Sequence, residues 1–185
     1  TPVSAMLQLT QKCNFRCKHC YQTHGRAREL TTRQWKAVMD DLSSSGVLFL
    51  TFSGGEPLLR KDFAQLAAHA RSLRFALKLK TNGYRLDRRM ADLLKKNAFL
   101  EVHLSLYSSR SKVHDAITGV RGSHRKVMSA ARMLVRRDVG VLMNVPLMNV
   151  NAGEVDDIIA MCERESLGWA MDPHLNVCED GRCNP

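Results

Sequence analysis

Strand-like apolar runs alternate with segments of helical spacing along most of this 185-residue chain. The runs occupy residues 4–10, 47–55, 75–83, 99–107, 140–149 and 168–175, and the helical segments 31–46, 60–73, 87–97, 123–138 and 152–166. In the first helical segment Trp35, Val38, Met39 and Leu42 fall on one face. Thr31 or Thr32 suits its N-cap and Gly46 its end, and Asp62 is the expected cap of the second. Residues 108–122 read as a polar loop. Six strands alternating with five helices predict an α/β fold with parallel strands and helical crossovers. Two arrangements satisfy that pattern, an open doubly wound sheet and an incomplete (β/α)6 barrel.

The strand ends favour the barrel. After the first run comes a cysteine loop, after the second "SGGEP", after the third "KTNG". Ser105 lies near the end of the fourth, Asn144 within the fifth, and Asp172 and His174 at the end of the sixth. Turn chemistry accounts for "TNG" and "SGG", but not for polar residues at all six ends. Parallel α/β barrels gather their active sites at the carboxyl ends of strands.

Three of the six cysteines, Cys13, Cys17 and Cys20, stand within "TQKCNFRCKHCY", residues 10–21. The chain is too long and too rich in periodic apolar segments for a secreted disulfide scaffold, so a reducing, cytoplasmic compartment is expected, where clustered thiols serve metals or catalysis. A structural zinc site takes four ligands, usually from two paired knuckles. Here one knuckle carries three thiols, His19 is adjacent to Cys20 and strained as a fourth ligand, and Cys178 and Cys183 are 158 or more positions beyond Cys20. An iron–sulfur cubane fits better, because three thiolates on one loop bind three irons and leave the fourth open to a small molecule. The local Arg16 and Lys18 charges favour an anionic thiolate cluster.

These residues carry a resemblance. "CNFRCKHCY" resembles the radical S-adenosylmethionine (SAM) signature, three cysteines spaced by three and two residues and followed by an aromatic, and "SGGEPLL" is similar to that family's Gly-Gly-Glu-Pro motif. The six strand–helix units match the family's partial (β/α)6 barrel across nearly the whole chain. The resemblance implies that Cys13, Cys17 and Cys20 hold a 4Fe–4S cluster whose open iron is chelated by the amino and carboxylate groups of SAM. It also implies that Gly54, Gly55 and Glu56 lie at the methionyl amino group, with the Glu56 carboxylate facing it, and that Tyr21 lies near the adenine. Ser105 would contact the ribose or methionyl part, and Asn144 the adenosyl group. The implied chemistry is reductive cleavage of SAM to a 5′-deoxyadenosyl radical that abstracts hydrogen from a substrate. No general base is assigned, because the cofactor performs the radical step. In one respect the sequence departs from the pattern. Where some relatives carry an arginine after a His-Asp pair, "HDAIT" has Thr118, with Arg121 as a substitute.

"HDAITGVRGSHRKVM" and "WAMDPHLNVCEDGRCNP" are similar to the peptide-modifying branch with C-terminal SPASM or twitch auxiliary-cluster domains. Residues 1–185 then form the radical SAM core of a longer chain, acting on a peptide and fed by a low-potential donor such as flavodoxin or ferredoxin. Cys178 and Cys183 are either the first ligands of an auxiliary cluster or free thiols of a tail. Cys162, on the stripe of Val155, Ile158 and Ile159, reads as core, and His103 as a structural histidine. His114 and Asp115 suit either a substrate pocket or loop packing. Residues 60–140 hold 19 Lys and Arg against 6 Asp and Glu, which suits solvated helix faces or an anionic partner. A tetrapyrrole precursor, nucleotide or RNA substrate is therefore the alternative, although no aromatics interleave with the basic residues as a base-stacking platform requires. A non-catalytic zinc or iron–sulfur module is the more remote reading. No apolar run approaches the ~20 residues of a membrane span.

Overall fold

The computed structural model describes residues 2–22 and 28–174. Six parallel strands form one sheet in the order of the chain: β1 (Ser4–Gln8), β2 (Phe49–Ser53), β3 (Ala76–Thr81), β4 (Phe99–Ser105), β5 (Gly140–Pro146) and β6 (Gly168–Asp172). That order settles the choice left open by the sequence. A doubly wound sheet reverses direction at a switch point, whereas a strictly sequential order is the winding of a barrel. Each strand is shorter than its apolar run, because Leu9 and Thr10, for example, have already turned into the cysteine loop although Leu9 N–H still bonds Ser53 C=O at 2.9 Å.

Alternate strand residues face the helices. Leu50, Leu77 and, one register further, Phe52, Leu79, Val102 and Val141 are buried side by side across β2 to β5. The helices α1 (Thr32–Ser44), α2 (Phe63–Ser72), α3 (Arg88–Lys96), α5 (Ser123–Val135) and α6 (Val155–Arg164) bring Met39, Leu66, Leu94, Leu134 and Ile158 onto that layer, and Cys162 belongs to it. Thr31 caps α1 with a full capping box, its hydroxyl accepting from Gln34 N–H while the Gln34 side chain accepts from Thr31 N–H. Asp62 stands at the cap position of α2 but makes no side-chain cap bond. Its carboxylate is taken instead by Arg60, at 2.7 and 2.9 Å, and by the Thr32 hydroxyl at 2.6 Å.

A sixth helix, α4 (Ser111–Thr118), lies in the segment read as a polar loop. It has eight residues, too short for a periodic signal, and is closed by Gly119 at φ 70°. The opposite sheet face, inside the incomplete barrel, carries Met6, Thr51, Lys78 and Lys80, Glu101 and His103, and Leu142. There the strands alternate to partly exposed residues, as expected for a face without a packed layer over it.

Candidate functional site

The carboxyl ends of the strands surround a cavity of about 330 Å³, within the range of small-molecule sites. Its walls include Cys13, Cys17 and Cys20 from the loop after β1, Gly54 and Gly55 after β2, Ser105 at the end of β4 and Asn144 on β5. Tyr21, Asp172 and His174 also line it, so each of the six strand ends singled out in the sequence contributes to one cavity, although Glu56 does not line it.

The cysteine loop is held from beneath by backbone. Gly55 N–H donates to Thr10 C=O at 2.7 Å and Glu56 N–H to Lys12 C=O at 2.8 Å. Glycine is required for this approach. A Cβ on Gly55 would lie 2.4 Å from the Lys12 carbonyl oxygen, and one on Gly54, at φ 129°, 2.5 Å from that of Thr10. Within the loop, Cys20 N–H donates to Cys17 C=O at 3.1 Å, and Lys18 N–H reaches Ile117 C=O on α4 at 3.1 Å.

Glu56 is fully buried. Its carboxylate accepts from Thr81 Oγ1 at 2.7 Å, Asn82 N–H at 2.8 Å and Leu58 N–H at 3.0 Å. Burial pushes its pKa up, against the lowering effect of those three bonds. Its backbone therefore supports the loop while its side chain ties the end of β2 to the turn after β3, and the carboxylate is not part of the cavity wall.

Burial raises the Cys13 thiol and drives Cys17 up to about 12, so both are protonated near neutral pH unless a metal claims them. Asn82 reaches Cys13 Sγ with its side-chain amide at 3.9 Å and Asn14 Oδ1 at 3.0 Å. The Tyr107 hydroxyl is in hydrogen-bonding reach of Cys17 and Ser105. His19, held neutral with a pKa near 4 by burial, stands edge-on to Tyr107 at 4.5 Å, and its buried Nδ1 has no hydrogen-bond partner. Among the described residues no three Cys, His, Asp or Glu side chains lie close enough together to enclose a single metal ion. A cubane takes its ligands on separate iron corners, and three thiols on one loop lining one cavity fit such a cluster.

His114 and Asp115 do not line the cavity. His114 Nδ1 accepts from Tyr107 N–H at 3.2 Å, and Asp115 accepts from Gly122 N–H, Ser123 Oγ and His124 N–H, so both serve loop packing. His103 bonds Glu101 at 2.6 Å. Thr118 is buried against Ser123 at 2.8 Å, and neither it nor Arg121 lines the cavity. Cys178 and Cys183 lie outside the described residues. Sequence reading missed Tyr107, Asn82 and Lys80 as lining residues; "KTNG" was the available signal for the last two.

Comparison with known proteins agrees with this geometry. The family model described as Radical SAM superfamily matches residues 7–162. The chain is 31% identical over 163 residues to PqqA peptide cyclase of Bradyrhizobium diazoefficiens, covering 86% of this chain and 43% of that protein. It is 31% identical over 179 residues to pre-heme d1 synthase of Dinoroseobacter shibae, covering 95% and 44%. SuiB of Streptococcus suis, solved bound to the precursor peptide SuiA, superposes with a TM-score of 0.83 at 17% identity, over 92% of this chain and 39% of SuiB. That last likeness shows the fold. The chain thus spans less than half the length of these relatives.

Proposed function

From the membership of this chain in the radical SAM superfamily, whose cofactors are a 4Fe–4S cluster and SAM, we propose that it is the catalytic core of a peptide-modifying enzyme. The observation that carries the reading is the meeting of Cys13, Cys17 and Cys20 with Gly54 and Gly55 in one cavity at the carboxyl ends of the strands. The cluster and SAM, when bound, supply one-electron cleavage and a 5′-deoxyadenosyl radical that takes hydrogen from the substrate. The residues of the chain bind, orient and shield. Cys13, Cys17 and Cys20 hold the cluster, leaving one corner for SAM. Gly54 and Gly55 offer backbone at close range, and Glu56 braces them. Ser105, Asn144 and Tyr21 contact the nucleoside, while Tyr107 and His19 close the wall against water. Asn82 directs an amide at Cys13, a contact that raises a cluster's potential by favouring the more negative reduced state.

The peptide substrate is supported by relatives named for peptide maturation, among them PqqA peptide cyclase. A tetrapyrrole substrate is the second reading, favoured by the 31% identity to pre-heme d1 synthase over 95% of this chain. In either case residues 1–185 are one radical SAM core domain, and the peptide reading adds an auxiliary-cluster domain elsewhere in the protein, with Cys178 and Cys183 either its first ligands or free thiols. A flavodoxin or ferredoxin supplies the electron, and the compartment is the cytoplasm. No described helix is long and apolar enough to cross a membrane.

The test is anaerobic reconstitution with iron and sulfide, then dithionite and SAM, scored for 5′-deoxyadenosine. Wild type forms it, and alanine at Cys13, Cys17 or Cys20 abolishes it. Equal product from the cysteine variants would overturn the assignment.

A further inference from the structure

We propose that Lys80 is the anchor for a carboxylate bound in the cavity. On β3, Leu77, Leu79 and Thr81 face the helices, which leaves Lys78 and Lys80 on the inner face of the barrel. Lys78 is satisfied there by Glu101 at 3.3 Å, and that carboxylate also holds His103. Lys80 is half-buried and lines the cavity, and no described residue forms a hydrogen bond or ion pair with it. It is the one Lys or Arg among the described lining residues. Asp172, the acid in the wall, is engaged by His174, whose N–H donates at 2.9 Å. A half-buried ammonium gives up hydration, and the described residues return no counter-charge for it. A bound anion would. A planar carboxylate also finds the Asn144 amide, which has no side-chain partner among the described residues, on the same face of the sheet.

The inference rests on the cavity being a SAM site, and two molecules there carry the group: SAM, through its methionyl end, and a substrate with an acidic side chain or free C-terminus. The experiment uses reconstituted, anaerobic protein and compares wild type with Lys80→Met and Lys80→Arg, all first checked for iron content and melting temperature. Equilibrium dialysis measures SAM and decarboxylated SAM. Saturation-transfer NMR compares N-acetylglutamate α-amide with N-acetylglutamine α-amide, which differ only in a carboxylate. If the group is SAM's, Lys80→Met binds SAM roughly 10- to 100-fold more weakly and no better than the decarboxylated compound, while Lys80→Arg retains the preference. If it belongs to the substrate, SAM affinity is unchanged, and the glutamate probe binds wild type and Lys80→Arg but not Lys80→Met. If Lys80→Met matches wild type in both comparisons, the inference is overturned. Wild type that takes up no cluster or binds no SAM refutes instead the function proposed above.

Discussion

Gly55 is the residue on which the cavity most depends. The Lys12 carbonyl carbon and oxygen and the Gln11 oxygen all lie within 2.9 Å of where its Cβ would stand, and all belong to backbone leading into Cys13. A methyl group there cannot be relieved by a rotamer change, so the loop itself must move. Gly55→Ala is expected to cost about 1–3 kcal/mol of stability and to lower iron and sulfide per chain severalfold after anaerobic reconstitution. A full complement in this variant would show that the strand-end turn does not position the cysteines. Next to it, Glu56 illustrates what a sequence motif hides. The motif marks an acid beside a ligand; the fold gives that acid three donors of its own, from Thr81, Asn82 and Leu58, and buries it.

Among the elements, α4 and the turn before it show where sequence periodicity ceases to inform. Residues 108–110 carry no apolar pattern, yet they form a polar junction away from the cavity. Ser108 Oγ donates to Glu154 at 2.6 Å, Ser109 Oγ at 2.9 Å and Arg110 at 2.6 Å, joining the start of α4 to the start of α6. Burial would raise the Glu154 carboxyl, but those donors hold it down to about 2. A depressed carboxyl stabilises the fold above its unfolded pKa, near 4.5, and that stability is lost as pH falls toward the folded value. Glu154→Gln should therefore cost about 1–3 kcal/mol at pH 7, and the gap from wild type in urea midpoint should narrow between pH 4.5 and pH 2, the interval set by those two values. A gap that stays constant across that interval would contradict the assignment. By contrast, Thr31 was legible as a cap because its Gln34 partner lies in the capping-box spacing, whereas Asp62 holds the cap position but gives its carboxylate to Arg60, two residues before it, and to the distant Thr32, pairings that the cap pattern does not reveal.

For the whole molecule, alternation of apolar and helix-periodic segments was enough to count six strands, since each apolar run buries one sheet face. Strand order is not encoded in that period, and only the polar residue at each strand end pointed to a barrel. The same residues made Cys13, Cys17, Cys20, Gly54, Gly55, Ser105 and Asn144 readable as one site. Tyr107 and Lys80 were not, because an aromatic just past a strand or a lysine within one carries no mark in sequence of the cavity it lines. The direct test of the account is low-temperature EPR of the anaerobically reduced protein before and after adding SAM. A reduced 4Fe–4S signal whose g-values shift with SAM is predicted, because ligation by three cysteines alone would leave one iron corner for it. A signal indifferent to SAM, or a metal centre with four protein ligands, would contradict it.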